Sequence, residues 1–414
     1  MATGTWVPVP DGSDFPVQNL PYGVFSRPGE RRRVCVAIGE HVLDLDGLAG
    51  TGALDGPAGP AGAPGAHEWF AAGSLNSFMA AGPAAWRAAR HAVTEVLTGT
   101  QRHAAAEPHL IPAGEVRLHM PFEVADYVDF YSSRDHAENA GRIFRPDGEP
   151  LAPNWLHMPV GYHGRAGTVV VSGTPLKRPD GQLVKPGGGP PSFGPAQKLD
   201  VEAEVGFVAG VPSQPGQAVA TAAFRDHVFG LVLVNDWSAR DIQAWESRPL
   251  GPFLSKSFAT SVSPWVLPLD ALEAARVRPP RQDPAPLGHL RCAEPWGLDL
   301  TLELELNGHV VARPPFASMY WTAPQQLAHA TSNGAALRTG DLFASGTVSG
   351  PRRDQRGCLL ELTWDGREPL ELPDGTRRAF LADGDVVRIR ATAPGLDGTR
   401  IGFGEVSGTV VPSS

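Results

Sequence analysis

The sequence is poor in cysteine, with Cys35, Cys292 and Cys358 the three thiols in 414 residues. They are odd in number, far apart and in no CxxC spacing, which argues against a disulfide framework or a thiolate zinc site and makes a reducing compartment the expectation. Long apolar runs are also missing. None approaches the roughly 18 residues needed to cross a bilayer, so no membrane partner is expected. The opening MATGTWVPVPDGSD has no basic region followed by an apolar stretch, so no secretory signal is read and the cytoplasm is the expected compartment. Positive charge is scarce: 35 Lys and Arg stand against 44 Asp and Glu, a net charge of -9. That balance argues against nucleic acid and anionic membranes, which require a basic footprint. The one basic cluster, Arg31-Arg32-Arg33, reads as a charged strand end before the apolar VCVAI. GxGxxG and GxxxxGK[ST] are both missing, and nucleotide cradles go with them.

Glycine (48) and proline (41) are abundant, together more than a fifth of the chain. Much of this lies between short apolar runs, the pattern of a turn-rich β protein. A small N-terminal β-rich domain is expected over residues 1–118. PYGVFSR and RRRVCVAIGEHVLDLDGL read as its strands, and GLAGTGALDGPAGPAGAPGA, residues 47–66, reads as a surface insertion that cannot form a core. Pro83 opens a helical pattern of Trp86, Arg90, Val93 and Leu97 that Gly99 stops. A larger domain is expected over 119–414, β-dominated and folded as packed sheets or a roll. TVVVSGTPL, KLDVEAEVGFVAG, HVFGLVLVNDW, LDLTLELELNGHVVA, CLLELTWDG and DVVRIRATA are its predicted strands, with Asn307-Gly308, Asp365-Gly366 and Asp374-Gly375 as tight turns. Helices are predicted near 134–141, 237–245 and 323–333.

In KLDVEAEVGF, strand alternation sets Asp200, Glu202 and Glu204 on one face. This is either a solvated acidic face or a carboxylate pair, Glu202 and Glu204, for a hard cation. LTLELELNG sets Glu303 and Glu305 on one face in the same way, so the pattern alone cannot choose between the two pairs. In VLVNDWSARDIQAWE a strand runs into Asp236 just before a helix, where the side chain either caps or ligates. Arg240, Gln243 and Lys256 follow closely, cations and an amide suited to an anionic substrate or a developing oxyanion. In DFYSSRDHAENAGRIFRP, Ser133 is placed to cap a helix with His136 in its first turn. The helix dipole disfavours an extra proton there, so a neutral His136 could serve as a general base. Nothing near it in sequence identifies its orienting acid.

These stretches, with PNWLHMPVGYHGRAGTVVVSGTP, PLGPFLSKSFATSVSPW, MYWTAPQQLAHATSNG, GDLFASGTVSG and IGFGEVSG, resemble the fumarylacetoacetase family. The resemblance covers the whole catalytic part and the order of a small domain followed by a large one. It implies a mainly β fold, with a small N-terminal SH3-like β-barrel domain and a large C-terminal β-sandwich roll. It implies metal carboxylates at Asp129, Glu202, Glu204 and Asp236, with Lys256 and Thr260 beside the ion, which all-oxygen ligation makes Mg2+ or Ca2+. The general base falls on His136 and its orienting acid on Glu361. Substrate contacts fall on Tyr131, Arg145, Tyr162, Gln243, Ser247 and Thr347, with Arg240 and Lys256 stabilising developing charge. The implied reaction is hydrolysis of a carbon–carbon bond in 4-fumarylacetoacetate, a small-molecule substrate, at the end of tyrosine and phenylalanine breakdown, by a homodimer. In WESRPLGPF, Ser247 stands where vertebrate members carry a substrate-contacting tyrosine, and Ala259 replaces a glycine in SKSFAT. The alternatives are another enzyme of the superfamily (an acylpyruvate hydrolase, a decarboxylase or an isomerase) and a β-rich module without catalysis.

Overall fold

Short runs of β-branched and aromatic residues broken by glycine and proline become short strands. We describe the protein from a computed structural model, in which the described residues are 4–54, 65–99, 103–185 and 187–413. Residues 55–64 of the expected Gly/Ala/Pro insertion lie outside them. In chain order the strands along the main path of the two larger sheets are β1 (Tyr22–Ser26), β2 (Arg33–Ile38), β3 (His41–Asp44), β4 (Leu110–Pro112), β5 (Tyr127–Phe130), β6 (Gly161–His163) and β7 (Ala203–Ala209). They continue with β8 (Val228–Asp236), β9 (Trp265–Pro268), β10 (Thr301–Leu306), β11 (His309–Ala312), β12 (Leu342–Ala344), β13 (Val386–Pro394) and β14 (Arg400–Val411).

The first sheet runs β4-β3-β2-β1-β9-β8-β7-β12-β5-β6. It is mixed: β12 lies parallel to β5, in a register that sets Ala344 opposite Asp129, whereas β7 and β8 are antiparallel. The second sheet runs β11-β10-β13-β14 and ends on Leu176–Lys177. Between the two sheets lies a core in which Val205, Phe207 and Leu231 meet Leu302, Ile389 and Val406.

The SH3-like barrel expected at the N-terminus does not appear as a closed ring among the described strands. The edge of β1 is divided: Tyr22 and Gly23 pair with Val266 and Trp265 of β9, whereas Phe25 and Ser26 pair with Leu118 and Arg117. The N-terminal strands therefore extend that sheet, and the helix α1 (Pro83–Thr98) packs on the same core. Phe229 of β8 stands at this junction, with ring centroids 5.5 Å from Tyr22, 5.5 Å from Phe78 and 5.3 Å from Trp86.

The three predicted helices of the larger part are α2 (Arg134–Phe144), α3 (Arg240–Glu246) and α4 (Ala323–Thr331). One predicted strand is wrong: the CLLELTWDG segment forms a single helical turn, α5 (Leu359–Leu362). The backbone N–H groups of Leu359 and Leu360 donate to the two oxygens of Asp200, at 2.7 and 3.0 Å. A carboxylate from a distant strand thus satisfies the orphan donors that a helix start leaves, and tertiary context overrides the β-rich composition.

Because Phe229 joins the two parts of the chain, Phe229→Ala is expected to cost about 3–5 kcal/mol in urea unfolding. Tryptophan fluorescence and far-ultraviolet circular dichroism should still give one coincident transition. Two separated transitions would show that the N-terminal strands are not energetically part of the catalytic sheet.

Candidate active site

Three neighbouring strands end at one place. Asp129 lies on β5, Glu204 on β7 and Asp236 at the end of β8, and Glu202 immediately precedes β7. Ligand oxygens of these four buried carboxylates all lie within 4.8 Å of one another. Of the two readings open for KLDVEAEVGF, the solvated acidic face is not found, since β7 is buried along its whole length. The Asp236 carboxylate is not a helix cap. It accepts hydrogen bonds from Tyr162 Oη at 2.7 Å, Thr260 Oγ1 at 2.7 Å and Lys256 Nζ at 3.0 Å. Lys256 Nζ also contacts Glu202. Arg240 Nη2 lies 2.7 Å from Glu202 Oε1, an ion pair outside hydrogen-bond geometry.

The control pair behaves otherwise. Glu303 pairs with Arg313 at 2.9 Å and Glu305 with Arg388 at 3.1 Å, so arginines neutralise both within their own sheet. In the cup, by contrast, Asp129 Oδ1 and Glu204 Oε1 are buried without a hydrogen-bond partner. Burial, and then the charges of Asp236 and of Asp129 respectively, push the carboxyls of Asp129 and Glu204 well above the usual range. For Glu202 the same burial is outweighed by Arg240 and Lys256, which hold its carboxyl well below that range. An all-oxygen donor set with two unpartnered oxygens fits a hard divalent cation such as Mg2+ or Ca2+ and offers zinc no nitrogen or sulfur. Gly346 closes one side. Its φ of +77° is open to glycine, a Cβ there would meet Phe130 O at 2.2 Å, and its N–H donates to Glu204 Oε2 at 3.1 Å.

Beside the cup, α2 begins at Ser133, whose Oγ accepts from His136 N at 3.3 Å, as expected. His136 Nδ1 lies 2.6 Å from Glu361 Oε2. Burial of Glu361 opposes ionisation, but the His136 charge and hydrogen bonds from His136, Asn139 and Cys358 outweigh it and hold the carboxyl near 2. An ionised carboxylate only accepts, so Nδ1 is the donor in this bond and Nε2 is the ring nitrogen left for another partner. His136 also lines a cavity of about 670 Å³ whose floor includes Asp129, Glu202 and Glu204.

The other expected substrate contacts converge on the same cavity. Tyr131, Arg145, Tyr162, Gln243, Ser247 and Thr347 all line it. Thr347 Oγ1 is buried without a partner. Arg145 gives one N–H to Pro150 O at 2.7 Å, and Gln243 Oε1 accepts from Arg240 Nη1 at 3.1 Å. The Ser247 hydroxyl, on that lining, donates to the Gln243 carbonyl, one turn back at the end of α3.

Sequence reasoning passed over four residues. Asp200 shares its strand pattern with Glu202 and Glu204, yet it binds α5 and accepts from Arg240 Nε at 2.8 Å instead of joining the cup. Asn139 stands three residues after His136 on one helix face and donates to Glu361 Oε1 at 2.9 Å, a spacing that could have identified it. Ser349 Oγ and Cys358 Sγ donate to Glu361 Oε2 at 2.8 and 3.1 Å, and nothing in their local sequence signals it.

Residues 18–121 match the family model for the fumarylacetoacetase N-terminal domain, and residues 126–411 match that for the fumarylacetoacetate (FAA) hydrolase C-terminal domain. The fumarylacetoacetase of Homo sapiens is 46% identical over 421 residues, covering 99% of each chain. That of Arabidopsis thaliana is 43% identical over 421 residues, covering 99% of this chain and 98% of its own. Among solved structures, the fumarylacetoacetate hydrolase of psychrophilic Exiguobacterium antarcticum shares the fold, with a TM-score of 0.54 at 16% identity over 95% of this chain and all of its own. Matched across both domains and related almost end to end, the chain belongs to the fumarylacetoacetase family.

Proposed function

We propose that the protein hydrolyses the carbon–carbon bond of 4-fumarylacetoacetate, giving fumarate and acetoacetate, with a divalent cation in the carboxylate cup. The observation that carries this reading is the meeting, on one cavity wall, of His136, paired with Glu361 behind it, and three carboxylates of the cup, Asp129, Glu202 and Glu204. Full-length relatives named fumarylacetoacetase support it independently. Asp129, Glu202, Glu204 and Asp236 would hold Mg2+ or Ca2+, with Lys256 and Thr260 supporting Glu202 and Asp236. Such an ion polarises the diketone oxygens as a Lewis acid.

The chain's own residues do the rest. His136 Nε2 takes a proton from water while Glu361 stabilises the imidazolium that forms. The water oxygen bonds to the fumaryl carbonyl carbon. The adjacent carbon–carbon bond then breaks, and its electron pair stays with the acetoacetate fragment. Arg240 and Lys256, with the Gln243 amide, face that developing negative charge. Returning the proton from His136 to the fragment's carbon yields acetoacetate and leaves fumarate. Tyr131, Tyr162, Thr347 and Arg145 orient the substrate, the last as a guanidinium fork on a carboxylate. The same reading makes the protein a cytoplasmic homodimer acting at the end of tyrosine breakdown, with a functional boundary near residue 118.

The direct test is the loss of ultraviolet absorbance of 4-fumarylacetoacetate with Mg2+, with Ca2+ and after chelation. Metal-dependent loss yielding both products is expected, and no loss from metal-loaded protein would sink the reading. His136→Ala should lower kcat by about 10²–10⁴-fold while calorimetric metal affinity stays near wild type. Retained turnover would remove His136 as the base. Asp236→Ala should instead weaken metal binding, and unchanged affinity would take Asp236 out of the cup.

Metal removal should also depend on pH. Asp129 and Glu204 have raised carboxyl pKa values in the metal-free fold, so their contribution to stability is present at low pH and lost as pH rises through those values. A bound cation offsets that loss. Chelation should therefore lower Tm by about 3 °C from a metal concentration near 100 times Kd, and by more at pH 8 than at pH 6. An equal drop at both pH values in scanning calorimetry would argue that the carboxylates do not share one ion.

A further inference from the structure

We infer that Arg248 is a specificity-determining residue that binds one terminal carboxylate of a diacid substrate, with Arg145 binding the other. This rests on the diketone-hydrolase reading above. The cavity has four cations on its wall: Arg145, Arg240, Arg248 and Lys256. Arg240 and Lys256 are buried and already committed, the first to Asp200 and Glu202, the second to Glu202 and Asp236. Arg145 keeps most of its guanidinium free, giving one N–H to a backbone carbonyl. Arg248 has no hydrogen bond or ion pair with any described residue.

The acids on the cavity wall, Asp129, Glu202 and Glu204, belong to the cup at its floor. No acid among the described lining residues sits beside Arg145 or Arg248 to neutralise them. The two guanidiniums also come from different elements. Arg145 is the C-cap of α2, and Arg248 follows the end of α3. A substrate with a carboxylate at each end must place two negative charges away from a floor already crowded with carboxylates. Guanidiniums do this with two parallel N–H donors each.

The neighbouring residue strengthens the assignment. The resemblance places a substrate contact at Ser247, but its hydroxyl is engaged by the Gln243 carbonyl and is too short to reach across the cavity as an aromatic hydroxyl would. The next side chain, Arg248, lines the same cavity with five donors unused. In this chain the contact has moved by one residue and changed from a hydroxyl to a charge.

The test compares metal-loaded wild type, Arg248→Ala, Arg248→Lys and Arg145→Ala on three substrates. These are 4-fumarylacetoacetate and two mono-acid analogues, each with one terminal carboxylate replaced by methyl. Arg248 is exposed and makes no hydrogen bond or ion pair with a described residue, so folding is not at stake. Arg248→Ala should raise KM for the diacid about five- to tenfold, an ion pair discounted for exposure, with kcat within about twofold. It should leave KM unchanged for the one mono-acid that lacks its partner carboxylate, and Arg145→Ala should spare the other. Arg248→Lys should fall between, keeping the charge and losing the fork. An unchanged diacid KM for Arg248→Ala overturns the inference. So does an equal rise for both mono-acids, which would mean general electrostatic steering. If metal-loaded wild type turns over none of the three, the diketone-hydrolase reading fails, and this inference with it.

Discussion

The site hangs on a buried chain of alternating charges: Asp200, Arg240, Glu202, Lys256, Asp236. Each member is within ion-pair distance of the next, and all five are buried. Isolated ions at such burial would be driven neutral, so each is tolerable only because its neighbours are there. The chain also joins the parts of the site. Asp200 holds the turn that carries Glu361, and Asp236 accepts from Tyr162 and Thr260. A change at any link therefore propagates both to the histidine pair and to the carboxylate cup.

The arithmetic of that chain explains the cup. Its two cations are shared among three carboxylates, which leaves Asp129 and Glu204 with no cation of their own. Those two carry the unpartnered buried oxygens. A divalent ion bound there would supply the missing charge and the missing partners together, which would make ligand binding and local stability one equilibrium at this place. Glu303 and Glu305 have the same strand spacing, but their arginines leave no such deficit.

This contrast also marks how far the sequence could be read. Strands, turns and the main helices follow from local patterns, and β10–β11 closes at Asn307-Gly308 with φ of 51° and 81°, as its dipeptide predicts. The resemblance brought Glu361 to His136 across 225 residues, a distance that no local pattern spans. The helical turn at Leu359–Leu362 was misread because its cap, Asp200, comes from a strand far away in sequence. The joining of β1 to β9 was hidden for the same reason, since edge pairing is decided by what lies beside a strand. Ser247 was legible as a departure, but only its hydrogen bond to Gln243 shows where the hydroxyl goes.

The site separates chemistry from recognition by the elements that carry each. Three of the four carboxylates, Asp129, Glu204 and Asp236, stand on strands of the central sheet, and the fourth, Glu202, lies directly before one. His136 stands in the capped first turn of a helix, braced by a four-donor carboxylate. The guanidiniums not held in that ion chain, Arg145 and Arg248, come instead from the end of α2 and the turn after α3, where both are exposed. Substrate preference can thus change there without disturbing the buried ion chain, because no member of that chain depends on Ser247 or Arg248. Of the two departures read in the sequence, Ser247 falls in that outer layer, whereas Ala259 is buried in the core.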